Sequence, residues 1–222
     1  MKKLLLFDVD GTLMEESPTH TESFNYACRK VYGVETDIYS FPRHGMTDTG
    51  ILYGLLERAG LDDAKISVHI NDALKIMLEY VKNNIKPEDY KLLNGVNTAL
   101  KEFYDLGYTL GLLTGNIQGV AELRAEKAGI SKYFSTGGYG SDSMIRSELV
   151  LYALKRLGIK IDLMNVYLIG DTPLDIKAAR DAGARAIAVA TGIYKIDELK
   201  NADLSLNSLE EKNKIIEFLK NQ

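Results

Sequence analysis

Two aspartates, Asp8 and Asp10, stand one residue apart at the end of the apolar run Leu-Leu-Leu-Phe, residues 4–7, and Gly11-Thr12 follows at once. Side chains at i and i+2 of an extended strand point the same way, so both carboxylates leave the strand's carboxyl end together. Carboxylates this close repel, and they coexist only with a cation, a shared proton or backbone donors. Gly11-Thr12 provides a flexible turn whose N–H groups can face an anion. Taken alone, the pair is also what a solvated turn after a buried strand looks like.

A second acidic element shifts the balance. Leu168-Ile-Gly-Asp171-Thr-Pro-Leu-Asp175 ends another apolar run in a carboxylate and starts a helix, with Asp175 one turn further on. Thr172 as N-cap, Pro173 at the first helical position and Asp175 at the third make a competent helix start without any chemistry. That explains Asp175 better than Asp171, which lies before the cap. Two parallel strands ending in aspartates converge on one crevice, an oxygen-rich setting of the kind Mg²⁺ favours. At a third run, Leu112-Leu-Thr114-Gly115-Asn116 brings a hydroxyl, a small residue and Asn116 as N-cap to a helix start, an anion site by the helix-terminus argument and ordinary capping otherwise.

These residues need a scaffold that brings strand ends together. Residues 4–7, 108–114, 165–171 and 185–190 are short and apolar without polar alternation, as parallel strands covered on both faces should be. Amphipathic stretches at 96–105, 117–128, 148–157 and 174–182 lie between them, each closed by glycine, and Asn94 is a candidate N-cap for the first. The alternation predicts an α/β fold with a parallel-sheet, Rossmann-like core. From residue 17 to 85 only helical patterns occur, at 20–32, 47–59 and 64–81, before the linker Lys86-Pro-Glu-Asp89. The expected organisation is a catalytic core of residues 1–16 and 86–222 with an α-helical cap domain, 17–85, inserted after the first strand, where it overhangs the ligand crevice. Residues 205–222 read as a final surface helix.

The chain has 222 residues, 45% of them hydrophobic, enough for one good core or a core and a satellite. Its 27 basic and 31 acidic residues leave a net charge of −4, so no broad cationic surface invites nucleic acid or anionic lipid. A single cysteine, Cys28, forms no internal disulfide, and no apolar run nears the length of a membrane span. The expected protein is cytoplasmic, with no nucleic-acid or membrane partner, a monomer or homodimer acting on small molecules.

The three strand-end motifs resemble those of the haloacid dehalogenase superfamily. Asp8-Val-Asp-Gly-Thr-Leu13 matches its first motif, Thr114 with Gly115-Asn116 its second, and Gly170-Asp171-Thr-Pro-Leu-Asp175 its fourth, in order along the whole chain. The inserted helical cap is similar to that of the subgroup holding phosphoglycolate phosphatases and β-phosphoglucomutase. The resemblance implies a phosphatase acting on a small phosphate ester: Asp8 as nucleophile forming an aspartyl-phosphate, and Asp10 as acid to the leaving oxygen and then base to water. It implies Mg²⁺ held by Asp8, the carbonyl of Asp10 and Asp171 with help from Asp175. Gly11, Thr12, Thr114, Gly115 and Asn116 would surround the phosphoryl group. Asp10 argues against a dehalogenase, whose leaving halide needs no proton.

The third motif departs from the pattern. The usual lysine is missing, and Arg146, just before the helix at 148–157, is the expected replacement, with more donors and a different geometry. In the cap, Phe41-Pro-Arg43-His44-Gly-Met-Thr47-Asp48 resembles the loop that faces the active site in phosphoglycolate phosphatase relatives, so Arg43, His44 and Thr47 are candidate substrate contacts; helix capping explains Thr47 or Asp48 equally well. His20 sits where β-phosphoglucomutase has a cap-hinge histidine, which leaves a sugar-phosphate mutase as an alternative, and the altered third motif leaves a weakly catalytic phospho-ligand-binding protein as another.

Overall fold

The apolar runs assemble into one six-stranded, wholly parallel sheet in a computed structural model that describes residues 2–222. In chain order the strands are β1 (Leu4–Phe7), β2 (Thr109–Thr114), β3 (Phe134–Tyr139), β4 (Val166–Gly170), β5 (Arg185–Val189) and β6 (Leu204–Leu206). They lie side by side as β3-β2-β1-β4-β5-β6, so β1 is central. Phe7 pairs in register with Leu112 of β2 and Ile169 of β4. That register sends Asp8, Asp10, Thr114 and Asp171 off the same edge of the sheet.

Burial on both faces explains why the strands lack polar alternation. Leu5, Phe7, Leu112 and Ile169 join one core layer with the helices α4 (Val96–Asp105), α5 (Gln118–Lys127) and α8 (Lys212–Lys220). Leu4, Leu6 and Leu168 face the opposite layer, with α6 (Glu148–Leu157) and α7 (Pro173–Asp181). The chain reverses after α4, α5, α6 and α7 at Gly107, Gly129, Gly158 and Gly183, whose φ of 70–80° is the left-handed conformation that ends helices.

The sequence reading differs from this fold in four places. β3 was not expected, because Phe-Ser-Thr-Gly-Gly-Tyr is no apolar run; its glycines let the strand pack closely, and a Cβ on Gly138 would lie 2.1 Å from the Leu149 carbonyl of α6. β6 has only three residues, Leu204–Leu206, and it takes 205 and 206 from the expected closing helix; α8 starts at Lys212. Gly95, at φ 82°, caps α4 in place of Asn94. Ile117, without a side-chain bond, caps α5 in place of Asn116.

Residues 18–84 hold α1 (Pro18–Ala27), α2 (Asp48–Arg58) and α3 (Asp63–Asn84), with no strand among them. Phe24, Leu52, Leu56, Ile66, Met77 and Val81 form their own apolar cluster, which runs on to Ile117, the cap of α5, and Val120 within it. Cys28 is buried in that cluster, and burial pushes its thiol up to about 11. Among the described residues no helix is long and apolar enough to cross a membrane.

Two linkers join these helices to the sheet, and the fully buried carboxylate of Asp89 ties them together. It accepts hydrogen bonds from Ser17 Oγ (2.6 Å), Thr19 N (3.0 Å), Thr19 Oγ1 (2.7 Å) and Lys86 N (2.8 Å). Burial opposes its charge, but these donors more than offset that and hold its pKa below the ordinary carboxylate range. Stability from a lowered carboxylate is present above its unfolded pKa and lost as pH falls through the folded one. Asp89→Ala should therefore destabilise the protein by about 2–3 kcal/mol at neutral pH. In urea unfolding the gap to wild type should narrow towards about pH 3, below the unfolded carboxylate pKa.

Candidate active site

The turn after β1 begins a cleft of about 290 Å³ between the sheet edge and the overlying helices. Asp8, Asp171 and Asp175 bring one carboxylate oxygen each to within 4.8 Å of one another, and all three are buried. Each is placed by its element. Asp8 follows β1, and its N–H donates to the Ile169 carbonyl of β4 at 2.9 Å. Asp171 follows β4 and accepts from Thr12 Oγ1 at 3.0 Å. Gly11 makes that approach possible: at φ 74°, a Cβ there would stand 2.4 Å from Asp171 Oδ2. Asp175 closes the capping box of α7, accepting from Thr172 N (2.9 Å) and Thr172 Oγ1 (2.7 Å).

Arg146 enters this group from the loop before α6. Its Nη2 lies 2.9 Å from Asp8 Oδ2 and also bonds Asp175 Oδ1, while Nη1 donates to the Gly45 carbonyl at 2.9 Å. Its Nε is buried and has no acceptor among the described residues. One guanidinium thus faces three carboxylates. Burial first, then Asp175 and Asp10, raise the Asp8 carboxyl to about 7 despite Arg146. Burial and the charges of Asp175 and Asp8 raise Asp171 to about 9. An all-oxygen donor set, buried and short of positive charge, fits a hard divalent cation.

Asp10 points to a different set of partners. Its Oδ1 is paired with Arg124 Nη1 at 2.7 Å and its Oδ2 accepts from Asn116 Nδ2 at 2.8 Å. Burial works against the charge, but Arg124, His20 and Asn116 prevail and hold the Asp10 carboxyl below its ordinary range. The adjacent aspartates of the first motif are thereby separated electrically, one raised and one lowered.

The helices of residues 18–84 meet the sheet domain across very short backbone distances. Asp48 N donates to the Gly115 carbonyl at 2.8 Å, and Asp48 Oδ2 accepts from Ile117 N at 2.8 Å and pairs with His20 Nε2 at 2.8 Å. A Cβ on Gly115 would lie 2.0 Å from the Met46 carbonyl, and one on Gly140 1.8 Å from the Gly115 carbonyl. Only glycine permits this closed arrangement. Arg43 and His44 line the cleft and share one partner, Glu16, at 3.1 and 2.8 Å.

Asp8, Asp10, Gly11, Thr114, Gly115, Asn116, Arg146, Asp171, Arg43 and His44 all line the cleft. Three expected contacts do not. Thr12 turns to Asp171 and positions it. Thr47 is the N-cap of α2, accepting from Gly50 N at 3.3 Å and donating to the Met144 carbonyl. Asp175 is engaged by Thr172 and Arg146 on both oxygens, so it stands behind Asp8 and Asp171. Glu16 and Arg124, together with Thr191 and Gly192 after β5, were not anticipated. Arg124 had a signal: it occupies the apolar stripe of α5 with Val120, Ala121 and Ala125. The others come from loops without periodicity.

Comparison with known proteins places this geometry. The family model described as haloacid dehalogenase-like hydrolase matches residues 5–189, and the chain belongs to that family of enzymes. A Dickeya dadantii protein named "Probable phosphatase IndB" is 27% identical over 207 residues, covering 91% of this chain and 87% of its own. A phosphoglycolate phosphatase of Vibrio vulnificus is 29% identical over 199 residues, 86% of this chain and 84% of its own. The crystal structure of a β-phosphoglucomutase from Clostridium difficile superposes with a TM-score of 0.74 at 19% identity, covering 100% of this chain and 98% of that one, a likeness of fold.

Proposed function

We propose that the protein is a Mg²⁺-dependent phosphatase of small phosphorylated metabolites, acting in the cytoplasm as a monomer or homodimer, with residues 17–85 as a cap over the core. The observation that carries this reading is Asp8, held at 2.9 Å by Arg146 at the centre of three buried carboxylates. Asp8 Oδ would form a bond to the substrate phosphorus as the bond to the leaving oxygen breaks, and Asp10, ionised in the free site and taking up a proton as the anionic phosphate binds beside it, would give that oxygen its proton. Asp10 would then take a proton from water as the water oxygen attacks phosphorus and frees Asp8. Arg146 orients the nucleophile and keeps one donor, Nε, free for a phosphoryl oxygen. Thr114 and the N–H groups after β2 would receive the others. Asp8, Asp171 and the Asp10 carbonyl would hold the cation, with Asp175 behind them. Bound there, it would offset the charge between an anionic nucleophile and an anionic phosphate.

Purified protein should release phosphate from p-nitrophenyl phosphate and from members of a phosphorylated-metabolite panel with Mg²⁺, and lose the activity in EDTA. An isomerised sugar phosphate in place of free phosphate would favour a mutase, and binding without turnover a phospho-ligand-binding protein. A pH dependence follows from the raised carboxyls. Stability from a raised carboxyl is present below its unfolded pKa and lost as pH rises through the folded value, up to about 9 for Asp171. Mg²⁺ binds the ionised forms, so the rise in Tm on adding it should grow as pH increases from about 6 towards 9, and thermal unfolding at fixed Mg²⁺ reads it.

A further inference from the structure

Arg124 is the largest fully buried side chain, and the reaction above gives it no part. Its guanidinium meets four acceptors from four separate segments. Nη1 donates to Asp10 Oδ1 (2.7 Å) in the turn after β1 and to Asn116 Oδ1 (3.1 Å) after β2. Nη2 donates to the Glu15 carbonyl (2.8 Å) in the linker that enters the cap, and Nε to the Asp89 carbonyl (2.7 Å) in the linker that returns. Asp10 is its one ion-pair partner among the described residues, and the Asp10 side chain stays 27% exposed, towards the cleft.

We propose that Arg124 is the positioning residue of Asp10: it grips the carboxylate from its buried side, aims its open edge into the cleft, and locks that placement to both linkers of the cap. This rests on the reading of Asp10 as acid and base. Asp10 sits on a turn made flexible by Gly11, so its orientation must come from its partners. Arg124 supplies both. It holds Oδ1 directly, and by taking the Asn116 oxygen it obliges the Asn116 amide to present its NH₂ to Oδ2. Without the arginine that amide is free to flip and set an acceptor against the carboxylate. A planar fork reaches four acceptors in fixed directions, which an ammonium does not.

The test compares two esters that differ in their need for an acid. Nitrophenolate leaves as a stable anion, whereas phenolate from phenyl phosphate depends on the proton Asp10 gives. kcat/KM reports the step in which the ester bond breaks. R124M should lower it about 100-fold for phenyl phosphate, the range of a general acid, and by less than about tenfold for p-nitrophenyl phosphate. In a D10N background, R124M should add less than about twofold to the loss. R124K retains the buried charge and reaches fewer acceptors; it should show the same ester-selective loss, and it carries the comparison where R124M fails to fold. Equal losses on both esters in the folded variant, or a full loss added on top of D10N, would mean that Arg124 is only a structural staple and would overturn the inference. A wild type that cleaves neither ester overturns the phosphatase reading and this inference with it. Cleavage of both by wild type, lost in D8N, upholds the reading whatever Arg124 does.

Discussion

Asp8→Asn should lower kcat/KM for every phosphate ester the wild type cleaves by about 10⁴-fold or more, the scale on which loss of a covalent nucleophile is felt. An amide oxygen lacks the charge to attack phosphorus. The variant should at the same time be no less stable than wild type when Mg²⁺ is absent. Asp8 is buried against Asp175 and Asp10, and its carboxyl is raised, which marks a group whose ionisation costs folding energy at neutral pH. Asparagine removes that charge and keeps the size. Lost activity with undiminished Tm would locate the defect in chemistry, and the variant's smaller Mg²⁺-induced rise in Tm would place Asp8 among the cation's ligands. Acid quench of wild type during turnover of radiolabelled substrate should trap phosphate on the chain, and Asp8→Asn should trap none. Undiminished turnover by Asp8→Asn would rule out the mechanism.

Arg146→Met should cost more than about 100-fold in kcat/KM and also destabilise the metal-free protein by about 3–5 kcal/mol, as expected when one partner of a buried ion pair is removed. It leaves Asp8, Asp171 and Asp175 clustered with no cation beside them. Mg²⁺ should restore part of the stability, because it answers the same charge, but little of the rate, because Asp8 loses the partner that aims it. Arg146→Lys restores the residue usual in this superfamily. One ammonium does not span Asp8, Asp175 and the Gly45 carbonyl as the guanidinium does, so an intermediate loss of about tenfold is expected. Steady-state kinetics with paired thermal melts separate the two effects. Arg146→Met with wild-type kcat/KM would show that the arginine is no stand-in for the lysine.

The Arg146 contact with Gly45 also ties core to cap, alongside Asp48 with Gly115 and Thr49 with Gly140. In the proposed reading, these contacts break and reform if the helices of residues 18–84 act as a cap that opens for substrate entry and product release. Glu16 contacts both Arg43 and His44 from the entering linker. If this group reads the substrate beyond its phosphoryl group, as the proposed function has it, Arg43 substitutions should raise KM.

Much of this protein was legible in its residues. Leu4–Phe7, Thr109–Thr114 and Val166–Gly170 are apolar without alternation because both sheet faces are covered, and that local pattern alone announced parallel strands. Asp8, Thr114 and Asp171 could be assigned to one edge because parallel strands all end on the same side. Thr172-Pro173-Leu-Asp175 spelled out its capping box, since all of that bonding lies within one turn. β3 and β6 were hidden by glycines and brevity.

What the tertiary structure alone decided is which partner each charged group meets. Asp8 and Asp10 are alike in sequence, yet Arg146 and Asp175 stand by one and Arg124 and Asn116 by the other, from residues 106 to 167 positions away. Thr12 and Thr47, equally plausible as phosphate contacts, were claimed by Asp171 and by the α2 backbone. Sequence periodicity encodes burial, which is local and non-directional. Hydrogen bonds and ion pairs depend on distances of a few tenths of an ångström between distant segments, so the different fates of the two aspartates in LLLFDVDGTL were set only when the sheet, the loop before α6 and helix α5 had closed around them.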